Sequence, residues 1–172
     1  MIGITLLTRS QARPFWPWVD RALALEASPS IRALGYAPHL TLARYDAISS
    51  DTLAEALALA AKEEPIALTF DRICLFDVEP LVLWLSPRSD RRLIDLHARI
   101  HEIVGPALCD PYYRPGQWTP HLTLATAVSA EKRKDALALT AESVEPFELV
   151  FDAVESVSWP PLRVLETVQL CG

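Results

Sequence analysis

Pro38-His39-Leu40-Thr41-Leu42-Ala43 recurs letter for letter as Pro120-His121-Leu122-Thr123-Leu124-Ala125. The two histidines, at positions 39 and 121, stand 82 residues apart in a chain of 172. A fainter echo follows each copy: Phe70-Asp71 begins 31 residues after His39, and Phe151-Asp152 begins 30 after His121. Two similar strands would explain shared alternation, but not the same polar pair in both. Two imidazoles and two hydroxyls suit phosphodiester chemistry. A neutral imidazole removes a proton from water or a hydroxyl while a protonated one donates to the leaving oxygen, each role being worth ~10²–10⁴-fold in rate. Histidine suits both roles because its proton affinity lies near neutrality. The threonine hydroxyls can hold nonbridging phosphoryl oxygens between the two rings. This chemistry requires no metal.

Strands must present these groups. In a strand, side chains at i and i+2 share one face, roughly 7 Å apart. His39 and Thr41 then point one way and Leu40 and Leu42 the other, and His121, Thr123, Leu122 and Leu124 repeat the arrangement. The leucines belong to a core, and the polar faces can meet across a cleft. Arg44, two residues beyond Leu42, falls on the core side unless the strand bends.

The rest of the chain follows the repeat. Strands are predicted over 2–8, 39–45, 66–75, 80–86, 121–127, 147–157 and 162–170. Helices are predicted over 16–27, 52–63, 90–104 and from Ser129 to about 140. Thr52 and Glu55 have the spacing of a capping box. Each half, about 1–80 and 81–172, reads strand, helix, motif strand, helix, strand pair. The expected fold is α+β: one bilobal domain over 1–172, with two pseudo-symmetric lobes. Each lobe is a small, mostly antiparallel sheet with outer helices, and the active cleft lies between them. The longer loops, 28–37 and 105–119, lead directly into the motif strands, where ligand contacts tend to gather.

Composition narrows the ligand. Lys plus Arg number 16 against 22 Asp plus Glu, a net charge of −6. That speaks against an extended nucleic-acid surface, which needs clustered positive charge, but not against a small phosphorylated ligand. Cys74, Cys109 and Cys171 form no CxxC pair, so neither a zinc ribbon nor a disulfide framework is expected and a cytoplasmic setting follows. The N-terminal stretch has no basic leader and reads as a strand, and no apolar run approaches a membrane span.

Two His-x-Thr-x motifs with apolar x, about eighty residues apart in a chain of this size, resemble the two-histidine (2H) phosphoesterase superfamily. That superfamily includes 2′-5′ RNA ligase-like proteins and cyclic nucleotide phosphodiesterases. The resemblance covers essentially the whole chain. It implies a two-lobed fold with a central cleft, and metal-independent hydrolysis or transfer at 2′,3′-cyclic phosphates or 2′-5′ linkages. His39, Thr41, His121 and Thr123 match its motif. Some members carry a basic residue just after each motif; Arg44 fills that place in the first copy, and Thr126 stands there in the second.

The expected partner is therefore a small nucleotide or an RNA end with a cyclic phosphate, bound by a monomer without cofactor or metal. A noncatalytic nucleotide- or phosphate-binding module with the same cleft is the alternative. Candidate substrate contacts are Tyr36 and Arg44 from the first half, and Tyr113, Arg114 and Trp118 from the second. The aromatic rings can stack a base or simply pack their loops, and the arginines can pair with phosphate. Arg32 shares the loop of Tyr36, and Arg9 ends the first strand. His97 and His101, at i and i+4 of a helix, have a chelating spacing but no evident third ligand; the plainer expectation is the border of an amphipathic helix. Phe15, Trp16 and Trp18 are expected to pack the first helix.

Overall fold

The computed structural model describes residues 1–10 and 12–171. Strands β1 (Ile2–Leu7), β2 (His39–Tyr45), β3 (Ile66–Phe76), β4 (Leu81–Pro87), β5 (Leu122–Val128), β6 (Phe147–Phe151), β7 (Ala153–Ser158) and β8 (Arg163–Gln169) alternate with helices. The helices are α1 (Trp16–Leu23), α2 (Ile31–Leu34), α3 (Ser50–Ala60), α4 (Arg91–Val104) and α5 (Arg133–Thr140). Two four-stranded sheets result, in the orders β2-β1-β7-β8 and β5-β4-β3-β6, and every described pairing is antiparallel. The α+β, two-lobed architecture is the one the repeat implied.

The lobes are not the sequence halves. β3, from the first half, pairs with β4 in the second sheet, and β7, from the second half, pairs with β1 in the first. The first half thus lends β3 to the other lobe, and the second half lends β7 and β8. The stretch expected as one strand over 147–157 is broken at Asp152: β6 stays beside β3 while β7 crosses to β1. The Asp152 side chain accepts from the Arg9 amide at 2.9 Å, and its own amide donates to the Leu7 carbonyl.

Local chemistry sets the helix starts. Asp90 caps α4 by accepting from the Leu93 amide at 2.9 Å. α3 is capped by Ser49, whose hydroxyl accepts from the Thr52 amide at 3.1 Å, and not by the Thr52–Glu55 box. The loop expected over 28–37 contains the short helix α2, closed by Gly35 in the left-handed conformation. Phe15 is buried and meets Trp16 edge-on, so that cluster does pack the first helix.

Both motif strands lie at sheet edges, where unpaired backbone must be covered. The segment after α1 covers β5: one Glu26 carboxylate oxygen accepts from the amides of Thr126 and Ala127 at 3.0 and 2.9 Å. The 105–119 loop covers β2. The Trp118 indole N–H donates to the Thr41 carbonyl at 2.9 Å, and the Asp110 amide donates to the Arg44 carbonyl at 2.8 Å. Each half's pre-motif connection therefore braces the other half's motif strand.

Candidate active site

The expected alternation holds in both copies. Leu40, Leu42, Leu122 and Leu124 are buried, whereas His39, Thr41, His121 and Thr123 are half-buried. The alternation then slips at the same place in each strand, and β5 slips again between Ala125 and Val128. Ile4 pairs with Ala43 but Thr5 pairs with Thr41, which leaves Leu42 as the extra residue. Leu83 pairs with Ala125 but Trp84 pairs with Thr123, which leaves Leu124. A bulge of one residue moves everything after it to the opposite face. Ala43 and Ala125 are consequently buried, and Arg44 turns to the cleft side and not to the core.

Each motif histidine makes the same hydrogen bond. Nδ1 of His39 meets the Ala37 carbonyl at 2.9 Å, and Nδ1 of His121 meets the Thr119 carbonyl at 2.7 Å. A carbonyl can only accept, so Nδ1 carries the proton in both neutral rings and Nε2 is left with its lone pair. Burial lowers the proton affinity of both rings, and the charge of His121 lowers that of His39 further. β2 and β5 pack together across the lobes.

A cleft of about 380 Å³ opens beside His121, lined by Arg44 of β2 and by His121, Thr123 and Thr126 of β5; His39 and Thr41 do not line it. Phe76, Tyr112, Tyr113 and Gln117 complete its walls. Phe76 meets the His121 ring edge-on at 5.1 Å, and Tyr113 lies 6.2 Å from it. Arg44 forms an ion pair with Asp110 and sits 5.4 Å over the Tyr113 ring, so its charge is already shared. Tyr112 and Gln117 belong to the 105–119 loop expected to carry ligand contacts, whereas Phe76 borders the motif only through strand exchange and no local spacing marks it.

The remaining candidates lie elsewhere. Tyr36 packs its ring 4.9 Å from that of His39 and donates to the Glu155 carboxylate at 2.6 Å. Arg114 spends its donors on the Cys109 and Ala107 carbonyls, at 2.9 and 3.1 Å, and braces its own loop. Trp118 faces inward, stacked on His97. Arg32 pairs with Asp20, and Arg9 lines a separate concavity with Tyr36 and Glu155.

His97 and His101 are buried, not border residues. Their Nε2 atoms meet the Tyr113 and Leu42 carbonyls at 2.9 and 3.2 Å. Among the described residues no three His, Cys, Asp or Glu side chains converge as metal ligands, and no helix is long and apolar enough to cross a membrane.

Solved structures share this architecture. E. coli LigT complexed with 3′-AMP superposes with a TM-score of 0.67 at 18% identity, covering 99% of this chain and 98% of that one. TT0787 of Thermus thermophilus gives 0.62 at 18% identity, with the same coverage. E. coli LigT complexed with NADP+ gives 0.60 at 19% identity over 99% and 97% of the two chains. No curated protein matches the sequence significantly. The model of the 2′-5′ RNA ligase superfamily matches residues 12–160, and the chain belongs to that family.

Proposed function

We propose that this protein is a phosphodiesterase that opens a 2′,3′-cyclic phosphate on a nucleotide or RNA end, with reversible 2′-5′ ligation as a close variant. The observation that carries this reading is the matched pair of Nδ1–carbonyl bonds, which leaves an Nε2 of the same tautomer on each repeated motif. One of these nitrogens takes the proton of the attacking water as the new P–O bond forms. The other gives a proton to the leaving ribose oxygen. Thr41 and Thr123 hydrogen-bond the nonbridging oxygens, and no cofactor or metal enters.

The cleft suits a small ligand. Among the described residues its one cation is Arg44, half-neutralised by Asp110, and its walls offer the rings of Phe76, Tyr112 and Tyr113 to a base. E. coli LigT has been crystallised with 3′-AMP, ATP and NADP+, ligands of the same class. We propose that the protein acts as a monomer in the cytoplasm. The test is turnover of a panel of 2′,3′-cyclic mononucleotides and 2′-5′ dinucleotides, with and without EDTA. Chelator-resistant hydrolysis is expected. Binding without turnover across the panel would mean a nucleotide-binding module instead, and loss of activity with EDTA would reject the metal-free mechanism.

A further inference from the structure

The repeat makes the two motif histidines equivalent in sequence, but their surroundings differ. Behind His39 lies a chain of polar groups. Glu155, on β7, is 7% exposed, and no lysine or arginine pairs with it among the described residues. Its carboxylate accepts from the Tyr36 hydroxyl at 2.6 Å and from the Thr167 hydroxyl at 2.9 Å. The Thr5 hydroxyl lies 2.8 Å from the Tyr36 oxygen and completes the chain. Burial and the carboxylate both push the Tyr36 phenol up, so it stays a donor throughout the working range. Behind His121 stand Phe76, Trp84 and Tyr113.

A carboxylate this buried is costly unless something compensates it. Two hydroxyls compensate only part. The Tyr36 ring that holds the carboxylate also packs against His39. We propose that Glu155, held by Tyr36 and Thr167, is a positioning and charge-stabilising residue for the imidazolium form of His39, with no counterpart at His121. This rests on the two-histidine mechanism proposed above.

The other charged and titratable groups around the pair are few. His39 packs on Tyr36, whose hydroxyl holds Glu155, and it feels the charges of His121 and Glu155. Arg9 lies on the outer side of the same concavity as Glu155. His121 faces Tyr113, with Arg44 across the cleft. Among the described residues Glu155 is thus the one acid placed to favour a proton on His39, and it acts against the burial and the His121 charge that disfavour one. The strand exchange makes this possible: β7 brings a second-half residue behind a first-half histidine.

The test is an NMR titration of both imidazoles beside the pH–rate profile. In Glu155→Gln, the His39 midpoint should fall by about one pH unit, the size expected for a lost neighbouring charge, and the His121 midpoint should hold. One limb of the bell-shaped profile should move down with it, and the other should stay. Thr167→Val keeps the charge and should leave the His39 midpoint in place, which separates charge from general loosening. Glu155→Met, apolar and of similar length, gives the same reading if the glutamine variant folds poorly. An unmoved His39 midpoint in the neutral variants, or equal shifts at both histidines, would overturn the assignment. The titration does not depend on turnover, so an inactive wild type would count against the phosphodiesterase reading and leave this one standing on its own data.

Discussion

The indole of Trp118 lies flat on the imidazole of His97, ring centres 4.0 Å apart and planes within 2°. The same indole donates to the Thr41 carbonyl, and the same imidazole donates to the Tyr113 carbonyl. One stacked pair thus ties α4, the 105–119 loop and the first motif strand together. Burial, the main cause, pushes the proton affinity of His97 down to about 4.

Acid should loosen this clamp. In the unfolded chain His97 binds a proton near pH ~6.5. Above that value both states are neutral and the stability is complete. As pH falls from ~6.5 towards 4, the unfolded chain gains a proton that the folded one resists, and stability is lost. Thermal midpoints should drop across that window. His97→Phe keeps a ring against Trp118 but cannot titrate, so its midpoint should fall less steeply with acid. An equal slope would place the sensitivity at other histidines.

Loss of either imidazole should stop turnover. His39→Ala and His121→Ala should each lower kcat by ~10²-fold or more, since each removes a proton-transfer role. Thr41→Val and Thr123→Val should cost up to ~10²-fold through lost phosphoryl hydrogen bonds. Steady-state kinetics on a cyclic nucleotide checks all four, and full activity in either alanine variant contradicts the mechanism.

The activity optimum should lie on the acid side of neutrality. Burial lowers the proton affinity of both motif histidines. The base therefore stays unprotonated to lower pH, and the acid keeps its proton only at lower pH, so both limbs move the same way. The profile of kcat/KM, which reports the free enzyme, should peak below about pH 6.5. A maximum in alkaline buffer would mean that other groups set the limbs.

Position 126 should accept a second cation. The bulge at Leu124 turns Thr126 towards the cleft as the bulge at Leu42 turns Arg44. Thr126→Arg should tighten binding of a ligand with two phosphates and steepen its salt dependence by about one phosphate contact. Calorimetry at several salt concentrations reads both. Unchanged affinity would show that the Thr126 site does not reach the second phosphate.

The leucines opposite the motif should matter for stability. Leu42→Ala or Leu124→Ala leaves a cavity at a fully buried site, at a cost of about 2–5 kcal/mol. Denaturant melts should show the loss.

Much of this protein is written locally. The period of two in His39-Leu40-Thr41-Leu42 separates cleft from core without help from the rest of the chain. The exact repeat announces two such strands, and helix periodicity marks most elements to within a few residues. Other features depend on pairings between distant segments, which no local pattern encodes. Crossing of β7 to β1 is a backbone pairing between the two ends of the chain. The bulges that turn Arg44 outward exist only because β1 and β4 hold the motif strands in register. Glu155 reads as a surface residue of an alternating strand until Tyr36, 119 positions away, reaches its carboxylate. Sequence alone determined a pair of equivalent histidines; the tertiary structure made them inequivalent, because a repeat duplicates strands but not the side chains that other segments pack behind them.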